Sequence, residues 1–306
     1  MSNLRRRIPR PRAAAACFTL ALGAFLLSTA AAPAAEPAAA AAAEKIRVAT
    51  LLPFVADALA RVPQHAVVVA SVRKSSVDDP PAGMIDLGSP HAPNFERLAE
   101  SGAQLVVADA AMHATMKEKL SRGGTEVLLI ESGSVDQTLA GLAEVGRKVG
   151  AASEMDRAIA ETRAGITAAA LAQPVATLPF FGAPGSFLVI TDRTWLGDLL
   201  TKLNFQNLAR DSSGKESFPG YVLVSDEVLA GMHPALVLVV AHGDPAAIRT
   251  AFSRRAEAGG PWKSLQDARL GLHVLDPDAF GTNPGLAMPE TAQRLRRLAL
   301  PETAAR

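Results

Sequence analysis

The segment Glu96-Arg-Leu-Ala-Glu-Ser-Gly-Ala-Gln-Leu-Val-Val107 returns without a gap as Glu227-Val-Leu-Ala-Gly-Met-His-Pro-Ala-Leu-Val-Leu238. In both copies a Glu is followed by Leu-Ala and then by an apolar run, which predicts a short helix leading into a buried strand. Two copies of such a unit are too few for a solenoid, but they suit two similar lobes that face each other. Because a cleft between lobes commonly holds a ligand, the repeat predicts a binding protein.

Helical patterns and apolar, β-branched runs alternate on both sides of this repeat. A short apolar run is typical of a strand buried on both faces of a sheet, and its alternation with helices indicates a mainly parallel sheet covered by helices. The predicted strands are Ile46–Leu52, Ala66–Ala70, Met84–Leu87, Gln104–Ala108 and Glu126–Ile130 in the first half, and Phe187–Thr191, Leu236–Ala241 and Leu272–Leu275 in the second.

The stretch Ser153–Leu171 contains no proline and predicts one long helix between the two halves. Its start, Ser153-Glu-Met-Asp156, resembles a capping box. A helix of about 20 residues spans about 30 Å, which is enough to run across two lobes. The predicted fold class is therefore α/β, with two similar lobes of mainly parallel sheet joined by one long backbone helix.

The first residues predict an export signal. Five arginines between Arg5 and Arg12 precede the apolar stretch Cys17–Leu27, and an Ala-rich cleavage region follows near Ala34. The apolar stretch is shorter than the roughly 20 residues that span a bilayer. The predicted organisation is an export signal over 1–35, an Ala-rich tether over 36–45, an N-terminal lobe over 46–150, a linking helix over 151–173 and a C-terminal lobe over 174–306. The expected location is the periplasm.

Charge and cysteine content exclude some classes of function. The chain has 31 Lys and Arg against 30 Asp and Glu, and cleavage of the predicted signal removes five arginines and no acid. The mature chain would then be acidic, which argues against a nucleic-acid partner. The single Cys also lies in the signal, so neither a disulfide nor a thiolate metal site is expected. We expect a monomer.

Five segments, in this order, resemble a known family: Leu87–Glu96, Gly182–Val189, Trp195–Leu199, Ala241–Pro245 and Pro261–Leu265. They resemble the substrate-binding proteins of ABC importers for ferric siderophores, cobalamin and haem. The most similar members are the haem-receptor lipoproteins of the iron-regulated surface determinant system. The resemblance implies a non-enzymatic protein that carries haem between its lobes and delivers it to an ABC permease.

The resemblance also implies two iron ligands. In those receptors the loop that matches Ser89–Asn94 offers one axial ligand, commonly Met, and the loop that matches His242–Pro245 offers a His. Here the first position is His91, and His is also a haem ligand. His242 directly follows a predicted strand, where open α/β sheets bind ligands. The sequence departs from the lipoproteins in having no Cys after its apolar stretch.

Other residues are candidates for the same cleft. His113 follows a predicted strand and is the alternative ligand of the first lobe, although the pattern favours a solvent-facing residue at a helix start. Tyr221 precedes Glu227 much as His91 precedes Glu96, so it is expected to line the cleft as a contact or second-lobe ligand. The resemblance makes Gly182 and Pro184 part of the cleft wall, and Arg193 is a cationic candidate there. His65, His233 and His273 are expected to be structural.

Glu96 and Glu227 have a separate implied role. In the family the acids at matching positions, one on each lobe, engage arginines of the permease. The ordinary alternative is a pair of acids that the helix dipole favours in a first turn. Their repetition at one register favours docking.

Rival functions remain open at this point. The same fold could carry cobalamin or a ferric siderophore, but siderophore sites favour cationic side chains, and the cleft loops offer few beyond Arg193. A zinc or manganese receptor would need three or four converging His and carboxylate ligands. The sequence has no G-x-S-x-G, H-E-x-x-H or G-x-G-x-x-G motif, so we expect no enzyme.

Overall fold

The structure, a computed structural model, describes residues 44–72, 83–183 and 185–300. The predicted export signal, most of the predicted tether and Pro184 lie outside these ranges. Two α/β lobes follow one another along the described part of the chain.

A parallel sheet forms the centre of the first lobe, with strand order β3-β2-β1-β6-β7 among the described residues. Strand β6 is buried along its whole length, as its apolar sequence requires of a central parallel strand. The elements are β1 Ile46–Thr50, α1 Pro53–Leu59, β2 Ala66–Ser71, β3 Ile85–Asp86, β4 Gly88–Ser89, β5 Ala92–Pro93, α2 Phe95–Glu100, β6 Leu105–Asp109, α3 Ala110–His113, α4 Lys117–Leu120, β7 Glu126–Ile130 and α5 Val135–Lys148.

A small antiparallel hairpin, β4–β5, leaves the end of the first sheet after β3. Gly88 pairs with Pro93 and Ser89 with Ala92, so Pro90 and His91 form its two-residue turn. Helix α2 follows directly, capped by the side chain of Asn94.

The linking helix, α6, spans Ala152–Ala169. The predicted capping box at its start is wrong, because the helix follows α5 after a tight turn in which Gly150 has a φ of 75°. The N-cap is Ala151, which makes no side-chain cap hydrogen bond, and Ser153 already lies in the first turn. Glu154 instead pairs with His65, 3.1 Å away.

The second sheet is mixed, with the order β11-β12-β9-β8-β13-β14, and β10 pairs with β8 beside this path. Strands β8, β10, β13 and β14 run parallel, whereas β8–β9, β9–β12 and β11–β12 pair antiparallel. The elements are β8 Val175–Ala183, β9 Ser186–Ile190, α7 Trp195–Lys202, β10 Phe205–Asn207, β11 Lys215–Phe218, β12 Tyr221–Leu223, α8 Asp226–Ala230, β13 Leu236–Ala241, α9 Pro245–Glu257, α10 Gly260–Gln266, β14 Leu272–Leu275, α11 Pro277–Phe280 and α12 Met288–Ala299.

Strand β8 is central although it contains Pro179, which cannot donate a ladder hydrogen bond. The carbonyls of Ala176 and Gly182 accept from Ala235 and His242, the residues just before and just after β13. The backbone polar groups of even-numbered β8 residues therefore face β13, and the backbone of Pro179 faces the other way. On that side β10 pairs as far as Thr177 and β9 begins at Phe180. Pro179 therefore occupies the gap between two partners, where no N–H is needed.

The lobes share one hydrophobic core. A single cluster of buried side chains includes Leu139 of α5, Met155 of α6 and Leu199 of α7. Polar contacts reinforce it, because the Val135 N–H at the start of α5 donates to the Asp198 carboxylate of α7 at 2.8 Å. Burial of a common core ties the lobes to each other far more firmly than a surface contact would.

An ion-pair network crosses the same junction. The Asp136 carboxylate of α5 accepts from Arg163 of the linking helix at 2.5 Å and from Lys202 of α7 at 2.8 Å. Those two hydrogen bonds, first to Lys202 and then to Arg163, lower the pKa of Asp136 below its ordinary value. The carboxylate thus stays ionised while it joins three elements.

After the second lobe the chain returns to the first. The Asn283 side chain donates to the Ser132 carbonyl at 3.1 Å and to Thr138 at 2.7 Å, and α12 packs on α6. The predicted C-terminal lobe of residues 174–306 therefore includes a tail that contacts the linking helix. Among the described residues no helix has the length and apolarity that crossing a membrane requires.

Candidate functional site

His242 immediately follows β13 and is fixed by its backbone. Its N–H donates to the Gly182 carbonyl at 2.7 Å. Gly243 has a φ of 109°, in the region that favours glycine, and Asp244 then caps α9. The side chain is exposed, and no hydrogen bond to its ring nitrogens is found within the described ranges. An imidazole held in this way can bind a metal without breaking an internal contact.

The Phe181 ring lies between His242 and Tyr221. Its centroid is 5.2 Å from that of His242, at an angle of 34°, and 5.4 Å from that of Tyr221, at 72°. Phe181 and Tyr221 are partly buried against the core that the lobes share. We call the three neighbouring side chains of Phe181, Tyr221 and His242 the aromatic patch. Burial raises the pKa of the Tyr221 phenol, so the neutral hydroxyl is favoured over the phenolate. Aromatic rings next to an exposed imidazole suit a flat apolar ligand with a metal centre.

His91 lies in the turn of the first-lobe hairpin and is exposed. Its backbone N–H donates to the Ser89 hydroxyl at 3.2 Å, and the Leu87 carbonyl accepts from Asn94 across the base of the hairpin at 2.9 Å. No partner is found for its ring nitrogens in the described part of the chain. Nor does a hydrogen bond or ring contact join His91 to His242 among those residues.

His113 is neither exposed nor free to bind a metal. Its side chain is completely buried, and both ring nitrogens are occupied. Nδ1 accepts from the Asp109 N–H at 3.0 Å, and Nε2 lies 2.9 Å from the Pro90 carbonyl. The expectation of a solvent-facing residue at a helix start is wrong, because the hairpin closes over the ring. With both ring nitrogens hydrogen-bonded, His113 has none free to serve as the alternative iron ligand.

Gly182 and Arg193 also differ from their expected surroundings. Gly182 is buried, and a Cβ there would lie 2.8 Å from Ile248 and 2.9 Å from Val239, so this position faces the core. Arg193 is exposed but donates to Glu216 at 2.6 Å. It lies at the lobe junction, since a Cβ on Gly133 of the first lobe would be 3.6 Å from its carbonyl. The assignment of Pro184 falls outside the described residues.

Glu96 and Glu227 occupy equivalent places in the two lobes. Each is exposed, in the first turn of a short helix that follows an antiparallel hairpin. Asn94 and Ser225 cap these helices through their side chains. Hydrogen bonds from the Ser225 hydroxyl and from its own backbone lower the pKa of Glu227, so it stays charged at neutral pH.

Two residues of this arrangement, Phe181 and Arg255, were not predicted from the sequence. Phe181 belongs to β8, a strand that was not among those predicted: Pro179 argues against a central strand, and Gly182-Ala-Pro-Gly185 has the composition of a turn. Arg255 was also missed: its guanidinium lies over the rings of Phe187 and Trp262 and donates to the Gly185 carbonyl at 3.1 Å. It anchors the turn between β8 and β9. No sequence pattern indicated that contact.

The protein-family model described as periplasmic binding protein aligns with residues 48–257, more than half of the chain. A curated relative is the high-affinity heme uptake system protein IsdE of Staphylococcus aureus (strain Newman). It is 27% identical over 99 residues, a segment that covers 32% of this chain and 32% of IsdE. The chain is thus matched over about a third of the length of its curated relatives.

Solved structures are similar over a longer range. An ABC transporter substrate-binding protein from Listeria monocytogenes EGD-e has a TM-score of 0.71 at 20% identity, with coverage of 84% of this chain and 99% of that one. IsdE complexed with heme has a TM-score of 0.69 at 17% identity, with coverage of 84% and 100%. The siderophore-binding protein BauB, bound to acinetobactin and ferric iron, has a TM-score of 0.61 at 16% identity, with coverage of 83% and 92%. Identities this low show a common fold alone.

Proposed function

The chain belongs to the periplasmic binding protein family, and we propose that it binds haem in the periplasm and delivers it to an ABC importer. Members of this family are non-enzymatic components of transport systems. A protein with this role binds its ligand and releases it chemically unchanged. Its site therefore needs affinity and a route of release rather than a reactive group.

One observation carries the choice of haem: each lobe presents an exposed histidine that closely follows a strand and whose backbone is fixed by hydrogen bonds. His91 lies in a hairpin turn, and His242 lies between a strand end and a helix cap. Six-coordinate haem iron takes one axial ligand on each side of the porphyrin plane, and His is a common axial ligand. We assign His91 and His242 as these ligands.

The aromatic patch supports the same ligand. Phe181 and Tyr221 present apolar rings beside His242, and such rings bury a flat macrocycle favourably. Because burial raises the pKa of the Tyr221 phenol, ligation by its phenolate would need prior loss of a firmly held proton. We therefore assign Tyr221 as a contact to the porphyrin and His242 as the ligand.

Glu96 and Glu227 are proposed to dock the protein on the permease. Both carboxylates are exposed and begin equivalent helices in the two lobes. Charged side chains that protrude at two separated points suit recognition by basic residues of a partner. Neither glutamate belongs to the hairpin turn or the aromatic patch, so docking and ligand binding are separable.

A second candidate ligand is a ferric siderophore or cobalamin, as the fold shared with BauB allows. An anionic siderophore would need free cations. Arg193 is already paired with Glu216 and Arg255 with the Gly185 carbonyl, which favours haem over this alternative.

A haemin titration followed at the Soret band tests the proposal. Wild type should give six-coordinate, low-spin ferric haem, and His91→Ala and His242→Ala should each lose that spectrum and bind more weakly. His233→Ala is the matched control, because His233 is an exposed histidine that precedes β13 rather than following it. Parallel titrations with cyanocobalamin and a ferric siderophore separate the rivals. Wild-type spectra in both the His91 and His242 variants would refute the assigned ligands, and no Soret shift in wild type would refute haem.

A further inference from the structure

We propose that His113 is a positioning residue that fixes the His91 hairpin for iron binding, an inference that rests on the proposed haem function. The side chain is completely buried beneath the turn that carries His91. It touches no part of the proposed ligand itself. Its influence on the iron would pass through the backbone of Pro90, the residue before His91.

The two hydrogen bonds of the ring define its protonation. Nδ1 faces the Asp109 N–H at 3.0 Å and must accept. Nε2 faces the Pro90 carbonyl at 2.9 Å and must donate. Only the neutral tautomer with its proton on Nε2 satisfies both partners. Because an imidazole is buried at a net cost unless its polar atoms are paired, the hairpin and the ring hold each other in place.

Asp109 ties this ring to the junction between the lobes. Its carboxylate accepts from the Met112 N–H at 2.9 Å and from the Ser132 hydroxyl at 2.5 Å. The Ser132 carbonyl in turn accepts from Asn283, on the segment that returns from the second lobe. The turn with His91 is thus linked, through hydrogen bonds and the residues that make them, to the segment that returns from the second lobe. Partners that hydrogen-bond a metal ligand directly contribute about 10- to 100-fold to metal affinity. His113 acts through the backbone of the preceding residue, Pro90, so we expect a loss near the lower end of that range.

A double-mutant cycle separates positioning from general stability. His113→Phe keeps the ring volume and removes both hydrogen bonds, whereas His113→Gln retains a donor and an acceptor. His113→Phe should weaken haemin binding about 10-fold or more and shift the spectrum toward that of His91→Ala. Added to His91→Ala, it should weaken binding no further. His113→Gln should recover part of the loss. If His113→Phe weakens haemin binding by the same factor in wild type and in His91→Ala, the proposal is wrong.

The matched control is His273→Phe, since His273 makes the same kind of contact, from Nε2 to the Leu270 carbonyl at 2.9 Å, in the second lobe. It should leave haemin binding unchanged. Should His113→Phe fail to fold, His113→Asn takes its place in the cycle, because its shorter side chain is not expected to reach the Pro90 carbonyl.

Amide hydrogen exchange in the ligand-free protein gives a readout that does not depend on haem. Residues 88–94 should exchange faster in His113→Phe than in wild type, with no change in His273→Phe. Unchanged exchange in that segment would overturn the positioning role. If wild type binds no haemin while residues 88–94 still exchange faster in His113→Phe, the proposed function is wrong and the positioning role stands.

Discussion

Substitution of Gly182 by Ala tests whether this residue faces the core or the cleft. The added methyl would lie 2.8 Å from Ile248 Cγ2, 2.9 Å from Val239 Cγ1 and 3.1 Å from Phe187 Cε1. Carbon atoms in contact prefer about 3.5–4.0 Å, so strand, helix and ring must all shift. Overpacking of this kind costs about 1–3 kcal/mol, and a loss of that size lowers the Tm of a domain this large by about 2–4 °C for each kcal/mol.

The assay is urea denaturation followed by circular dichroism, with a haemin titration on the same preparation. We expect a lower urea midpoint at an unchanged slope. Haemin affinity should fall only modestly, since the carbonyl that holds the His242 N–H remains. Gly231→Ala is the control, because its Cβ would have no neighbour closer than 3.6 Å. Unchanged stability with a large loss of haemin affinity would show that Gly182 forms the cleft wall, and would refute the reasoning.

Three further predictions concern the lobes and the acids. Free and haemin-loaded protein should have nearly the same radius of gyration in X-ray scattering, because the lobes share a core; a clear decrease on loading would contradict this. Replacement of both Glu96 and Glu227 by Ala should leave haemin binding intact and impair uptake by cells that depend on this importer, and normal uptake would exclude docking. Asp136→Asn should cost about 0.5–1 kcal/mol of stability at neutral pH, because the network is solvent-exposed. Since folding lowers the pKa of Asp136, its contribution is present above the ordinary value near 3.8 and disappears as the pH falls through the lowered one. The difference in melting temperature between wild type and variant should therefore be smaller at pH 3 than at pH 7, and a difference of equal size at both would be inconsistent with an ionised Asp136.

Strands with continuous apolar sequence could be predicted because such a run is itself typical of a strand buried on both faces. Strands β6, β7 and β13 lie where the runs near Leu105, Glu126 and Leu236 placed them. Strand β8 could not, because Pro179 normally excludes a central strand and is allowed here only by the gap between β10 and β9. That gap depends on pairings far apart in sequence.

The candidate site, too, could be predicted only where the relation between residues is local in the sequence. The sequence showed that His242 follows a strand, since that relation is local. The burial of His113 depends on a hairpin that precedes it by more than 20 residues, and the aromatic patch depends on β8 and β12 lying on either side of β9. Such neighbours are set by the topology of the sheet, which the local pattern does not specify.

The shared core has a consequence for how loaded and empty protein would compete for the importer. Under the proposed function, a carrier whose lobes are joined through α5, α6 and α7 would hold Glu96 and Glu227 at nearly one separation, whether its cargo is present or not. An importer that measured only this separation would receive empty carriers as readily as full ones. Empty protein would then act as a competitive inhibitor, and the rate of uptake would follow the fraction of carriers that are loaded rather than their total number.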